Sequence, residues 1–170
     1  MTAGTTKLPK DAASTRSNIL AAAVQTLQRG GIEGFTLEAV ARRAGVVKGL
    51  ILYHYASRGR LLRAAASQIA ASRTAAIERA LASAPGAGAL DACWDELRRQ
   101  AEDGTARAWL SLCAAGLIDR SARNAHFEEA ARDAVIDGST IALAAGVPLV
   151  DAKDAYDALW LTLLEVTQKS

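Results

Sequence analysis

Apolar residues recur at spacings of three and four along most of the chain, whereas the alternating pattern of a half-buried strand is nearly absent. The first such run predicts a helix over about residues 12–29, ended by the glycine-rich sequence RGGIEG. Its apolar face consists of Ile19, Leu20, Ala23, Val24 and Leu27. Because alanine, which favours helix, is also abundant, the pattern predicts an all-α protein.

Two short predicted helices come next. Thr36 is placed to cap the first, over about residues 37–43, and the second covers about residues 47 to 54 or 55. Between them lies the turn AGV, where Gly45 can take the left-handed backbone conformation that a tight turn needs. Two helices joined in this way form a helix-turn-helix, whose second helix enters the major groove of DNA. Short helix-glycine-helix segments also occur by chance, so spacing alone does not establish DNA binding.

The rest of the chain is also predicted to be helical. Ser57 can cap a long helix that extends to about residue 84, and the sequence APGAGA ends it. Asp151 is expected to cap the last helix. Three or four helices are predicted after the long one, over about residues 90–102, 105–119, 122–144 and 151–168. We expect a helix-turn-helix domain over residues 1–56 and a second helical domain over residues 57–170.

Charge is unevenly distributed between these two parts. Residues 1–60 hold nine lysines or arginines against three acidic residues, a balance of +6, while the remainder holds 11 against 15, a balance of −4. A basic first part favours a polyanionic partner such as DNA. The two cysteines are too few for a disulfide framework, and neither a secretory signal nor a membrane span is visible. We therefore expect a soluble, cytoplasmic protein.

A specific resemblance covers residues 16–64. This segment is similar to the DNA-binding domain of the TetR family of bacterial transcriptional regulators. The similarity lies in an ordered set of features: ILAAA in the first helix, Gly34 before Thr36-Leu37, AVARRAGV through the turn, Lys48-Gly49, Tyr53-His54, and Arg58 before Leu61-Leu62. The second domain resembles the family only in its helical pattern, its length and, loosely, two short segments.

The resemblance implies which residues contact double-stranded operator DNA. Positions that contact bases in the family are occupied by Lys48, Gly49 and Leu50. Positions at or beside the sugar-phosphate backbone are occupied by Val47, Leu52, Tyr53, His54 and Arg58. The start of the preceding helix, which abuts phosphate, carries Thr36 and Leu37. Of all these residues, Lys48 is the strongest candidate, because an ammonium group can bond guanine acceptors or a phosphate.

Two of these positions depart from the family pattern. Val47 stands where a serine or threonine is usual, so a hydroxyl that would cap the recognition helix is missing. Leu52 replaces the usual tyrosine and cannot bond a phosphate. Leu50 and Leu52 could instead pack against thymine methyl groups, or dock the helix onto its own domain, or DNA binding could be weakened. Arg42 and Arg43 are expected to form a solvated face with only long-range attraction to DNA, unless their position on the second helix brings them alongside the DNA backbone.

The second domain offers a candidate site for a small-molecule effector. Aromatic, aliphatic and sulfur-bearing side chains on adjacent predicted helices could line an apolar pocket. These residues are Trp94, Leu97, Trp109, Leu112, Cys113 and Phe127. The alternative is an ordinary helical core. The resemblance further implies that the two C-terminal helices form a homodimer, which fits DNA recognition because one short helix reads too few base pairs.

No arrangement of residues suggests catalysis. The sequence contains no Ser-His-Asp set at a recognisable spacing and no phosphate-binding glycine loop, so we expect neither enzymatic activity nor a cofactor. The predicted function is a ligand-responsive DNA-binding regulator, a repressor released by a small, mainly apolar effector. The alternative is a helical small-molecule-binding or interaction protein that keeps the fold while operator recognition is weak or lost.

Overall fold

The all-α prediction is confirmed by a computed structural model of the chain. The structure describes residues 8–118 and 127–167, and within them the side chains of residues 12–118 and 132–162. These residues form eight helices and no strand. The helices are α1 (Leu8–Gly30), α2 (Leu37–Ala44), α3 (Lys48–Tyr55), α4 (Arg58–Ala82), α5 (Ala87–Glu102), α6 (Thr105–Ala114), α7 (Phe127–Ala144) and α8 (Leu149–Thr167). None of the described helices is long and apolar enough to cross a membrane.

Several helix ends differ from the prediction for local reasons. α6 ends at Ala114 rather than near residue 119, because Gly116 has a φ of +66° and the Leu117 N–H donates to the Leu112 carbonyl. Asp151 does not cap α8, which begins two residues earlier, and lies instead in its first turn, where an acidic side chain also suits the helix dipole. The predicted start of α7 near residue 122 lies outside the described residues.

One apolar cluster holds the N-terminal helices together. Ile19 and Leu27 of α1, Val40 of α2 and Ile51 of α3 are fully buried in it, as is Phe35 from the loop before α2. The first half of α4 and the end of α6 complete the cluster with Leu61, Leu62, Ala65, Ala66, Ile69, Ala108 and Leu112. The helix-turn-helix therefore packs against α4 and α6. Its apolar cluster includes residues on both sides of the domain boundary predicted between residues 56 and 57.

A second cluster forms the interior of the C-terminal part. It joins α4, α5, α7 and α8 through buried aliphatic, aromatic and thiol side chains. Its members are Ile77, Cys93, Trp94, Leu97, Val135, Ile136, Ala152, Tyr156 and Trp160. Because α4 contributes to both clusters, it connects the helix-turn-helix to the interior of the C-terminal part.

Candidate functional site

The predicted turn between α2 and α3 is present. Thr36 caps α2 by accepting a hydrogen bond from the Ala39 N–H at 3.0 Å. Gly45 follows the helix with a φ of +67°, and the Val46 N–H donates back to the Ala41 carbonyl. These local bonds end one helix and redirect the chain into the next within three residues.

One face of α3 is exposed, and it carries most of the residues predicted to contact DNA. Ile51 and Tyr55 point into the N-terminal cluster. On the opposite face, the exposed residues are Lys48, Gly49, Leu52 and Tyr53, while Leu50 and His54 lie half-buried at its edges. A side chain added at Gly49 would meet nothing within 4 Å, so this glycine leaves an open position on the face.

The start of α3 lacks a side-chain cap. Val47 occupies the N-cap position with an extended backbone (φ −78°, ψ 149°) and makes no capping hydrogen bond. Its side chain is 74% exposed, although it is apolar, and Tyr53 on the same face is 79% exposed. Leu52 is 39% exposed, so part of its side chain also faces solvent. An apolar, solvent-facing surface thus surrounds the lysine of this helix.

Lys48 is held by an acidic residue of α2. Its Nζ lies 2.5 Å from Oε1 of Glu38, and both side chains are at least half exposed. The hydrogen bond from Lys48 lowers the pKa of the Glu38 carboxyl, and the Lys48 charge adds to this effect. In the free protein, the lysine is therefore extended across the groove between α2 and α3 and is paired.

The remaining predicted contact residues differ in what they can offer to DNA. Leu37 is only 8% exposed, so its side chain packs in the core and only its backbone N–H can reach a phosphate. The Arg58 Nε donates to the Phe35 carbonyl at 2.8 Å, and its guanidinium lies over the Phe35 ring at 5.6 Å. Arg58 thus braces the loop that enters α2.

Two further cations of the N-terminal part are structural. The Arg43 Nη1 donates to the buried hydroxyl of Thr26 at 2.7 Å, so the expectation that Arg43 belongs to a solvated face is wrong. Arg16 lies over the Tyr55 ring at 4.8 Å, while the Tyr55 hydroxyl donates to the Arg16 carbonyl at 3.0 Å. These contacts anchor α2 and the end of α3 to α1.

The residues predicted to line an effector pocket do not form one group. Trp94 and Leu97 are buried in the second cluster, whereas Leu112 belongs to the first. Trp109 is buried and Cys113 is half-buried. Phe127 begins α7, and its side chain is outside the described part of the chain. The pocket prediction therefore stays a prediction.

A surface groove of about 590 Å³ runs between α4 and α5. None of the predicted pocket residues whose side chains the structure describes lines it. Its walls combine small and charged side chains: Ala76, Arg79, Ala80, Ala92, Asp95, Glu96 and Arg99. Arg99 is paired with Glu96 and Asp103, so part of this charge is already neutralised.

Arg73 is a buried cation that the sequence analysis missed. Only 5% of it is exposed, in the middle of α4. Its Nη2 donates to the Thr140 hydroxyl at 2.8 Å and lies 3.4 Å from Oδ1 of Asp137, while its guanidinium lies over the Trp109 ring at 4.6 Å. Its spacing could have indicated that Arg73 is buried, since it lies four residues after Ile69 and four before Ile77 on the buried face of α4.

Other polar groups are buried near this region. The amide of Gln100 donates to Glu96 at 2.7 Å, and its Oε1 has no hydrogen-bond donor among the described residues. Burial raises the pKa of the Cys93 thiol, a shift that the neighbouring Tyr156 hydroxyl and the charge of Arg73 oppose. Burial likewise raises the pKa of Tyr156, whose hydroxyl donates to the Leu90 carbonyl. Both groups are therefore neutral at ordinary pH.

Comparison with known proteins agrees with this geometry. Residues 19–65 match the family described as bacterial regulatory proteins, tetR family. This match covers the helix-turn-helix and the start of α4, and it confirms the resemblance drawn from the sequence. No curated protein matches the chain at a significant level.

Solved structures share the fold along nearly the whole chain. One is the multidrug binding protein EbrR in complex with imidazole, with 23% identity, a TM-score of 0.60, and 96% of this chain and 97% of that chain covered. Another is a TetR-family regulator from Rhodococcus sp., with 24% identity, a TM-score of 0.53, and 91% and 98% covered. A third is CprB from S. coelicolor A3(2), with 24% identity, a TM-score of 0.51, and 91% and 88% covered.

Proposed function

We propose that this chain, whose residues 19–65 match the tetR family of bacterial regulatory proteins, is a repressor released from its operator by a small, mainly apolar effector. The exposed face of α3 carries this proposal. It presents Lys48, Gly49, Leu52 and Tyr53 on a helix that packs into its domain through the opposite face. A helix in this position of a helix-turn-helix is inserted into the major groove.

The proposed contacts follow from the chemistry of this face. Lys48 bonds guanine acceptors, and Leu52 packs against thymine methyl groups, with Leu50 beside it. Tyr53 and the N–H groups at the start of α2 hold phosphates, since the first turn of a helix has unpaired donors and a positive dipole end. Arg58 acts mainly by bracing the loop before α2.

We also propose that the protein binds DNA as a homodimer. Large apolar side chains are exposed on α7 and α8 or between them: Ile141, Val147, Leu149, Val150, Leu159 and Leu161. Leu159 and Leu161 are 49% and 61% exposed on a helix whose other face is buried. An apolar surface of this kind favours association, and a twofold dimer places two recognition helices on two half-sites.

The effector would act through α4. This helix begins with Arg58 at the helix-turn-helix and reaches the second cluster at Ile77. A ligand that binds one arrangement of these helices more tightly than the other changes the spacing of the recognition helices. A ligand with equal affinity for both arrangements leaves this spacing unchanged. The solved structures of EbrR with imidazole and of a gamma-butyrolactone receptor show that this fold occurs in ligand-binding proteins.

Operator binding is tested with the DNA upstream of the protein's own gene in a mobility-shift titration. Lys48→Ala should lower the affinity about tenfold to a hundredfold, because a specific base contact contributes about 1–3 kcal/mol. Arg98→Ala is the matched control, since it removes an exposed cation of α5 far along the chain and should leave the affinity unchanged. Equal loss in both variants, or none in Lys48→Ala, would count against specific recognition.

The alternative function is that of a helical binding protein that has lost its operator. The uncapped and apolar N-cap Val47 and the exposed Leu52 favour it, because both lack hydrogen bonds that a serine and a tyrosine would make. Wild-type protein that fails to shift its upstream DNA, while still binding small molecules, would support this alternative.

A further inference from the structure

The exposed face of α3 has few groups that read bases through hydrogen bonds. The helix contains no arginine, asparagine, glutamine, serine, threonine or acid, and its one lysine is Lys48. Lysine bonds guanine, amide side chains read adenine, and an apolar side chain recognises thymine by its methyl group. The side chains of this face can therefore read an A·T pair mainly through the thymine methyl.

A notch in this face lies at Gly49. A Cβ placed there would meet no atom of the described residues within 4 Å. Because residues three and four positions apart are neighbours on a helix surface, the notch is bordered by Leu52 and Tyr53, which are 39% and 79% exposed. The Tyr53 ring meets the His54 ring edge-on, with centroids 5.2 Å apart, which restrains its orientation. The notch thus combines an uncovered stretch of backbone with two apolar walls.

The opposite face of α3 holds the notch in place. Ile51 is fully buried in the N-terminal cluster, and the Tyr55 hydroxyl donates to the Arg16 carbonyl at 3.0 Å. A helix anchored in this way loses little conformational freedom on binding, so a misfit at its surface is not relieved by movement. The notch can therefore discriminate by shape.

We propose that this notch receives the C5 methyl group of a pyrimidine in the major groove, so that the protein distinguishes thymine from uracil and 5-methylcytosine from cytosine. The inference rests on the proposed function and names the chemical feature of the operator that α3 reads. A methyl group fits where an added Cβ meets nothing, and there it contacts Leu52 and the Tyr53 ring. The Tyr53 hydroxyl still reaches a phosphate, since only the body of the ring borders the notch.

Charge favours duplex DNA over an apolar protein partner as the occupant of this face. Residues 1–60 have a charge balance of +6, and Lys48 lies one helical turn from Leu52. The first turn of α2 adds backbone N–H groups that suit a phosphate. These groups hold the DNA without reading its sequence, and the notch supplies discrimination that they lack.

The first measurement compares the DNA upstream of the protein's own gene, copied with either thymine or uracil, in a fluorescence-anisotropy titration of the full chain. Burial of one methyl group contributes about fourfold in affinity, so two half-sites should give about a 15-fold preference for thymine. Uracil at single positions should confine the loss to one or two thymines in each half-site. Equal binding of both DNAs, or a loss shared evenly by all thymines as DNA shape would produce, overturns the proposal.

Base exchange at a thymine located in this way gives a second readout. A C·G pair in its place should lower the affinity, and 5-methylcytosine at the same position should restore about fourfold, because the methyl group returns while the base pair stays the same. Equal affinities for cytosine and 5-methylcytosine at this position would contradict the notch.

Gly49→Ala tests the notch itself. Its Cβ takes the space proposed for the base methyl group, and alanine favours helix, so the fold should be retained. The preference for thymine over uracil should fall to about one or below. Lys48→Ala is the contrasting variant, because it should lower the affinity for both DNAs by a similar factor and keep the preference.

Leu52→Ala removes one wall of the notch and should also reduce the preference for thymine. It decides the matter if Gly49→Ala binds neither DNA. Either variant that binds DNA with the full wild-type preference would show that the methyl group is not read at this notch.

Failure of the methyl notch and failure of the proposed function have different signatures. Wild-type protein that does not bind the thymine-containing upstream DNA would contradict the proposed function, and methyl recognition with it. Tight binding of this DNA without a preference for thymine over uracil would contradict only the methyl notch.

Discussion

Nζ of Lys48 lies 2.5 Å from Oε1 of Glu38, so the only lysine or arginine of α3 is paired with an acid of α2. This acid stands in the first turn of α2, the part of the helix that faces phosphate in the proposed complex. In the proposed complex, a phosphate would come close to this carboxylate, and Lys48 would exchange Glu38 for the DNA. We therefore expect Glu38 to disfavour indiscriminate DNA binding, because only a site that offers Lys48 a good acceptor would compensate for the lost pair.

Glu38→Gln should raise the affinity for random DNA about threefold to tenfold, because it frees Lys48 and removes a repelling charge. The affinity for the operator should rise less, so specificity falls. Titration of both DNAs by fluorescence anisotropy measures the two effects. Glu33→Gln, which removes an exposed acid of the same domain, is the control. An equal effect of both variants would mean that net charge alone is responsible.

The pH dependence of this effect follows from the lowered pKa of Glu38. A carboxyl whose pKa is lowered in the folded protein stabilises it above the ordinary carboxyl pKa and loses this effect as the pH falls through the lowered value. The ratio of the Glu38→Gln and wild-type affinities should therefore be constant between about pH 6 and pH 8. A ratio that changes over this range would show that another group controls the pair.

Val47→Ser should stabilise the protein by about 1 kcal/mol, because its hydroxyl can accept a hydrogen bond from the first turn of α3. The backbone at this position already has N-cap geometry, so no rearrangement is needed. Urea unfolding measures the stability, and a mobility shift measures operator affinity, which should also rise. Val47→Ala removes the same methyl groups without adding a hydroxyl, and it should show neither gain.

Leu159→Glu should convert the proposed dimer into monomers and weaken operator binding, because it places a charge in the proposed apolar interface of α8. Light scattering coupled to size exclusion gives the mass of the particle. Ala71→Glu adds the same charge at an exposed position of α4 and should remain dimeric. If Leu159→Glu and the wild type have the same mass, α8 does not form the interface.

Gly104→Ala should destabilise the protein by more than about 3 kcal/mol. A Cβ at this position would lie 2.2 Å from the Gln28 carbonyl oxygen, and the φ of +84° disfavours any side chain. Gly116→Ala is the control, since φ is +66° there but a Cβ would meet nothing within 4 Å. Its expected cost is about 1 kcal/mol. Similar unfolding free energies for the two variants would show that α6 does not approach α1 this closely.

Much of the DNA-binding domain could be predicted from the sequence. The Thr36 cap, the left-handed Gly45 and the exposed face of α3 all follow from short-range patterns, and the structure has each of them. The grouping of the residues expected to line an effector pocket could not be predicted in the same way. Trp94 and Leu112 have equivalent helical patterns, but they are buried in different clusters, because a pattern shows that a residue is buried and not which residues surround it.

The sequence by itself determined the helices and the turn, since helical hydrogen bonds and caps join residues three or four apart. Only the tertiary structure decided the partners of the charged groups. Arg43 reaches Thr26 across 17 residues, and Arg73 reaches Thr140 across 67. Such pairs depend on how the helices pack, because a guanidinium on a buried stripe must find its acceptors on other helices, and no local spacing specifies which ones.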